Sequence, residues 1–139
     1  MTDSVREQIQ SNAQAAVGGQ WGLAAIRDDS DLPFTSLDDG TDSVSSDEYG
    51  RTDLAMAVAV TRVEKSTSSD LEELRIHGNR ILAEIQAEMF ADETLGGVAD
   101  GVDYAGGGTS ANVGKYVFAL ANFNIRYHHV RGDPYTIEE

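Results

Sequence analysis

The chain has 139 residues, 40% of them hydrophobic, enough for one domain that buries roughly 68% of its unfolded surface without a covalent staple. Cysteine is absent, which excludes a disulfide framework, a thiolate zinc site, a thiol nucleophile and an iron–sulfur cluster. With 24 acidic residues against 10 basic ones the net charge is −14, and Lys65 and Lys115 are the only lysines, so gripping a phosphate backbone by counterion release is disfavoured.

The start, MTDSVREQIQ, lacks the basic-then-apolar order of a secretory signal, and no apolar run approaches the roughly 18 residues of a membrane span. Acidity keeps such a chain soluble, suits a salty medium, and would let DNA slide past without sticking.

Ser4 to Val17 reads as a helix, with Val5, Ile9, Ala13 and Ala16 at helical spacing. Asp3 or Ser4 caps it, Glu7 completes a capping box with Ser4, and Gly18-Gly19 ends it. Trp21 to Ile26 is a short apolar stretch with strand character. From Asp28 to Gly50 the chain holds eight acidic residues and no Lys or Arg. It is expected to be a long acidic loop, partly mobile in isolation, holding at most a short strand around Leu32–Leu37.

Arg51 to Val63 alternates with period two, the mark of a strand with one core face. Leu54, Met56, Val58 and Val60 share one side, and Asp53, Ala55, Ala57, Ala59 and Thr61 the other. Ser69 and Glu72 form a capping-box pair that starts a second helix, Asp70 favours its positive end, and it runs to about Phe90. Its apolar stripe is Leu71, Leu74, Ile81, Leu82, Ile85 and Met89, with Gly78 in the same stripe for a close backbone approach. The outer stripe is Asp70, Glu73, His77, Arg80 and Glu84. Ala91 to Gly114 reads as a glycine-rich loop with one short strand around Val98–Tyr104. Lys115 to Val130 is a long strand that bends or extends past the sheet, with Phe123, Ile125 and Tyr127 alternating with Asn122, Asn124, Arg126 and His128. Pro134, which cannot donate to a ladder, follows its end. One-sided strands with two helices predict an α+β fold, a small antiparallel or mixed sheet with helices on one face and long loops.

Chemistry-bearing patterns are sparse. His128 and His129 are sequential on a strand, so they face opposite sides and do not chelate jointly, and His77 falls in a solvated stripe. Asp38, Asp39, Asp42, Asp47 and Glu48 supply hard oxygen ligands, but their spacing is not that of an EF-hand loop. Gly106-Gly107-Gly108-Thr109-Ser110 lacks the lysine and following helix of a phosphate loop. Arg131-Gly132-Asp133 reads as a turn. No catalytic, cofactor or metal constellation emerges, and an interaction protein, not an enzyme, is expected. Trp21, Phe34, Asp38, Asp39, Asp42, Tyr49, Gly106, Gly107, Gly108 and Tyr135 are its candidate interface residues; aromatic anchors dominate many interfaces.

Over Arg51 to Thr136 the chain resembles tail terminators, the minor tail protein U type of tail-completion protein in long-tailed phages. The resemblance lies in RTDLAMAVAV, DLEELRIHGNRILAEIQAEMFADETLGG, VADGVDYAGGG and ANFNIRYHHVRGDPYT, in that order. It implies a small sheet with helices packed on it, assembled as a hexameric ring on the last ring of tail-tube protein. Such a ring ends tube polymerisation, docks a head–tail connector protein and lets DNA through its lumen. The implied place is the head-proximal end of the virion tail, after assembly in the host cytoplasm, with no membrane partner. On that reading the Asp28–Gly50 and Gly96–Gly114 segments contact neighbouring rings. A head-closure or tail-tube protein is the nearest alternative, and a calcium-dependent acidic binding module is the alternative from another class.

Overall fold

Ser4 opens the first helix, α1 (Val5–Val17), by accepting the Glu7 N–H at 3.1 Å. This is the expected cap, although Glu7 answers the Ser4 hydroxyl rather than its backbone N–H. Gly18 ends α1 in the left-handed conformation, φ 65°. The buried stripe is Val5, Ile9, Ala13 and Val17, and Ala16 lies at its margin. The computed structural model describes residues 3–22 and 33–137. The acidic stretch from Asp28 to Leu32 and the expected strand beyond Gly22 fall outside these.

Behind α1 lies one five-stranded mixed sheet of order β1-β2-β3-β5-β4. Its strands are β1 (Gln20–Trp21), β2 (Phe34–Glu48), β3 (Arg51–Lys65), β4 (Gly101–Asn112) and β5 (Tyr116–Val130). Only the β1–β2 pair is parallel. The second helix, α2 (Leu71–Phe90), joins β3 to β4, and both helices pack on one face, as expected for this α+β class. The core lies between: Met56, Val58 and Val60 of β3, Phe123 and Ile125 of β5, and Ile81, Ile85 and Met89 of α2 are buried together.

Three expectations are corrected. The acidic run is not a loop from Phe34 onward. It is the 15-residue strand β2, paired along its length with β3. Tyr49 at φ 56° and Gly50 at φ 80° make the two-residue turn, and two left-handed residues match the twist of the flanking strands. Likewise, the glycine-rich stretch is a strand, β4, over Gly101–Asn112, because β5 is long enough to template it. Finally, Asp70 rather than Ser69 caps α2, accepting the Glu72 N–H at 2.9 Å, and Leu71 sits outside the buried stripe at 73% exposure.

Candidate assembly surfaces

Strand register divides the sheet into a covered and an open face. Met56 opposes Ile125 and Val58 opposes Phe123 on the covered side. Between them, Ala55 opposes Arg126, Ala57 opposes Asn124 and Ala59 opposes Asn122 on the other side. Among the described residues neither helix covers that side. Its middle is a shallow depression of ≈250 Å³ floored by Ala57, Ala59 and Asn122, with Asp38 and Gly40 on the β2 side. One end is apolar, with Phe34 opposite Val63 and Val63 opposite Phe118, whose ring lies 6.3 Å from that of Tyr116. The other end is charged, with Asp53 opposite His128 and Arg51 close by.

The sheet also has two unpaired edges among the described residues. β1 covers β2 only at Ser36 and Leu37, which leaves the outer edge from Asp38 to Glu48 without a neighbour. At the far side β4 pairs with β5 alone. The β4 edge carries neither Lys nor Pro, two of the features that blunt exposed edges, and a bulge between Tyr104 and Gly106 is its main irregularity. Gly107 packs so tightly that a Cβ there would lie 2.3 Å from the Leu120 carbonyl, whereas a Cβ on Gly108 would meet open space.

The sequence-predicted interface residues are scattered by this geometry. Trp21 is half-buried against the core, and its Nε1 donates to the Gln10 carbonyl at 3.0 Å. Phe34 belongs to the apolar end of the open face, and Asp38 lies near its middle. Asp39 and Asp42 are on the helix side, where Arg6 of α1 binds both, at 2.6 and 2.9 Å. Tyr49 stands at the hairpin tip with 94% exposure, and Tyr135 is exposed in the turn after β5. Gly106, Gly107 and Gly108 sit together on the β4 edge. Asp38 pairs with Ala59 on the open face while Asp39 and Asp42 pair with Val58 and Met56 on the covered one, so the acids of β2 are divided between two faces, and Asp47 accepts from Thr52 Oγ1 at 2.6 Å.

Sequence reasoning missed three polar clusters. Arg62, nearly fully buried, donates to Thr35 Oγ1, the Val17 carbonyl and Glu88 at 2.8, 2.9 and 2.6 Å. His77, expected in a solvated stripe, is half-buried with Nε2 2.9 Å from Glu64 Oε1, which also accepts from Arg80. His128 Nδ1 lies 2.8 and 2.9 Å from the two oxygens of Asp100. The only sequence signal for the first was a charge, Arg62, on the apolar side of a strand. The other two depend on sheet register and loop path. Asp53 accepts both Arg51 Nε and Nη2, at 3.0 and 2.6 Å, and this guanidinium holds its carboxyl below the usual carboxylate range.

No family model matches the sequence, and no curated protein matches it.

Proposed function

We propose that the chain is an assembly subunit of the tail-terminator type, whose copies join head to tail into a closed ring. The carrying observation is the pair of edges left without a neighbour among the described residues at opposite sides of one sheet, β2 from Asp38 to Glu48 and β4 over Gly101–Asn112. Two different edges on one subunit make a heterologous contact, which closes into a ring when the rotation between copies divides a full turn. Each contact adds a strand to a neighbouring sheet, with backbone hydrogen bonds supplying affinity. Glycines 106–108 keep the β4 edge slim enough for a neighbouring backbone to approach.

In this role the ring caps the last tail-tube ring. One rim copies the tube's stacking surface and the opposite rim does not, so tube growth ends and the second rim receives the connector. The exposed hairpin tip at Tyr49 and the turn at Tyr135 are the parts that reach adjacent rings. The resemblance over Arg51–Thr136 supports this finer assignment, and the −14 charge is compatible with DNA passage through the lumen.

The test is the mass of the purified protein by light scattering, alone and with tail tubes, followed by negative-stain imaging. A hexameric ring, free or formed only on tubes, is expected. Long self-assembled cylinders would reassign the chain to a tube subunit. A monomer that never binds tubes would overturn the reading. Gly108→Lys, which fills open space on the β4 edge, should keep the fold and abolish the ring.

A further inference from the structure

Asp53, Asp100 and His128 come from three separate segments, β3, the turn before β4, and β5. One ligand atom from each lies within 4.8 Å of the other two. Sheet register sets Asp53 directly across from His128, and the Asp100 N–H donates to the Arg126 carbonyl at 2.7 Å, fixing that turn beside β5. The imidazole is only 13% exposed at its side chain. A cleft of ≈340 Å³ opens along Asp53 and Asp100, so an ion has a path in.

We propose that Asp53, Asp100 and His128 form a binding site for a borderline divalent transition-metal cation of the zinc type. The donor set decides the class. One imidazole nitrogen with two carboxylates suits zinc, cobalt or nickel, whereas calcium and magnesium take all-oxygen shells. Both Arg51 bonds fall on Asp53 Oδ1 and hold the carboxylate in place, the part that hydrogen-bonded outer partners play around metal ligands. Ligands at about 2.0–2.2 Å from a tetrahedral zinc lie about 3.3–3.6 Å apart, so His128 Nδ1 and Asp100, now 2.8 Å apart, open by a fraction of an ångström, and Asp53 sits within 4.8 Å of both. The cation binds His128 Nδ1 in place of its hydrogen bond to Asp100, a proton displaced from Nδ1 passes to Nε2 or to solvent, and water completes the shell. Bound there, it ties β3, β5 and the entry to β4 together at the charged end of the open face. All three ligands come from one chain, so zinc binding needs no second copy and is read independently of ring formation.

Isothermal titration of the full-length protein with zinc chloride, paired with imidazole NMR, tests this. One zinc per chain is expected, with the His128 ring resonances shifted and the melting temperature raised through linkage. His128→Gln and Asp100→Asn should each weaken binding by about tenfold or more, while His129→Gln should leave it unchanged. Melting curves without zinc establish that each variant is folded. Absence of zinc binding would overturn the proposal, as would binding that survives His128→Gln in a folded variant, or calcium binding in place of zinc.

Discussion

Tyr127 ends the buried row of β5 with its hydroxyl donating to Asp42 Oδ2 at 2.6 Å, and Arg6 donates to the same oxygen. Burial first, and then this hydrogen bond to a carboxylate, push the phenol well above its ordinary value. A raised value means the folded state holds the proton more tightly than the unfolded chain. The linked stability is therefore complete below the ordinary phenol value of about 10 and is lost as pH rises through the higher folded-state value. Urea melts at successive pH values should show stability falling above about pH 10, and Tyr127→Phe should flatten that fall while costing about 1 kcal/mol at neutral pH. An unchanged pH slope in the variant would mean that another group carries it. Arg62 makes a stronger case, because its one guanidinium joins the end of α1, Thr35 of β2 and Glu88 of α2 from a nearly dry site. Arg62→Ala should destabilise by about 3 kcal/mol, since three acceptors lose their donor together. Arg62→Lys should recover less than half of that, because a point charge cannot span the three acceptors as the planar fork does. Chemical denaturation with both variants measures the difference.

At the scale of elements, the contact between α2 and β4 turns on a glycine. A Cβ on Gly78 would lie 2.9 Å from Thr109 Cβ, nearer than real Cβ atoms approach one another. Gly78→Ala would add about 1 kcal/mol on an exposed helix. Here the clash is with a β-branched residue fixed in a strand, so net destabilisation is expected, and Gly78→Ala with Thr109→Gly should show favourable coupling in a double-mutant cycle. The close approach at Gly78 was legible in the sequence because glycine interrupted an otherwise apolar stripe. Both helices, β3 and β5 were legible for the same kind of reason: their periodicity records a buried face. β2 and β4 were not. Each is a strand because a long neighbour templates it, and its own residues, mostly exposed, carry no alternation. The Asp53–Asp100–His128 group was hidden for a related reason. In sequence His128 stands beside His129, whereas its partners arrive through register and a turn.

For the whole molecule, charge governs how readily copies meet. Neither β2 nor β4 contains Lys or Arg; β2 carries Asp38, Asp39, Asp42, Asp47 and Glu48, and β4 carries Asp103. Pairing these edges sets one negative strand against another, on subunits each bearing −14. Arg6 offsets Asp39 and Asp42 in part, and the remainder repels. The attraction must come from backbone hydrogen bonds and from apolar surface, neither of which salt screens. Raising ionic strength from about 0.01 to about 0.15 M shortens the screening length from about 30 to about 8 Å and removes most of the long-range repulsion. Ring formation should therefore strengthen with salt, seen in sedimentation or light scattering as a rising ring fraction at fixed protein concentration. The opposite slope would mean that cationic side chains, such as Arg126 and Arg131 at the charged end of the sheet, meet acidic ones across the contact. The β2 and β4 edges would then not be the surfaces that join, and the ring, if it forms, would have to close through the open face instead.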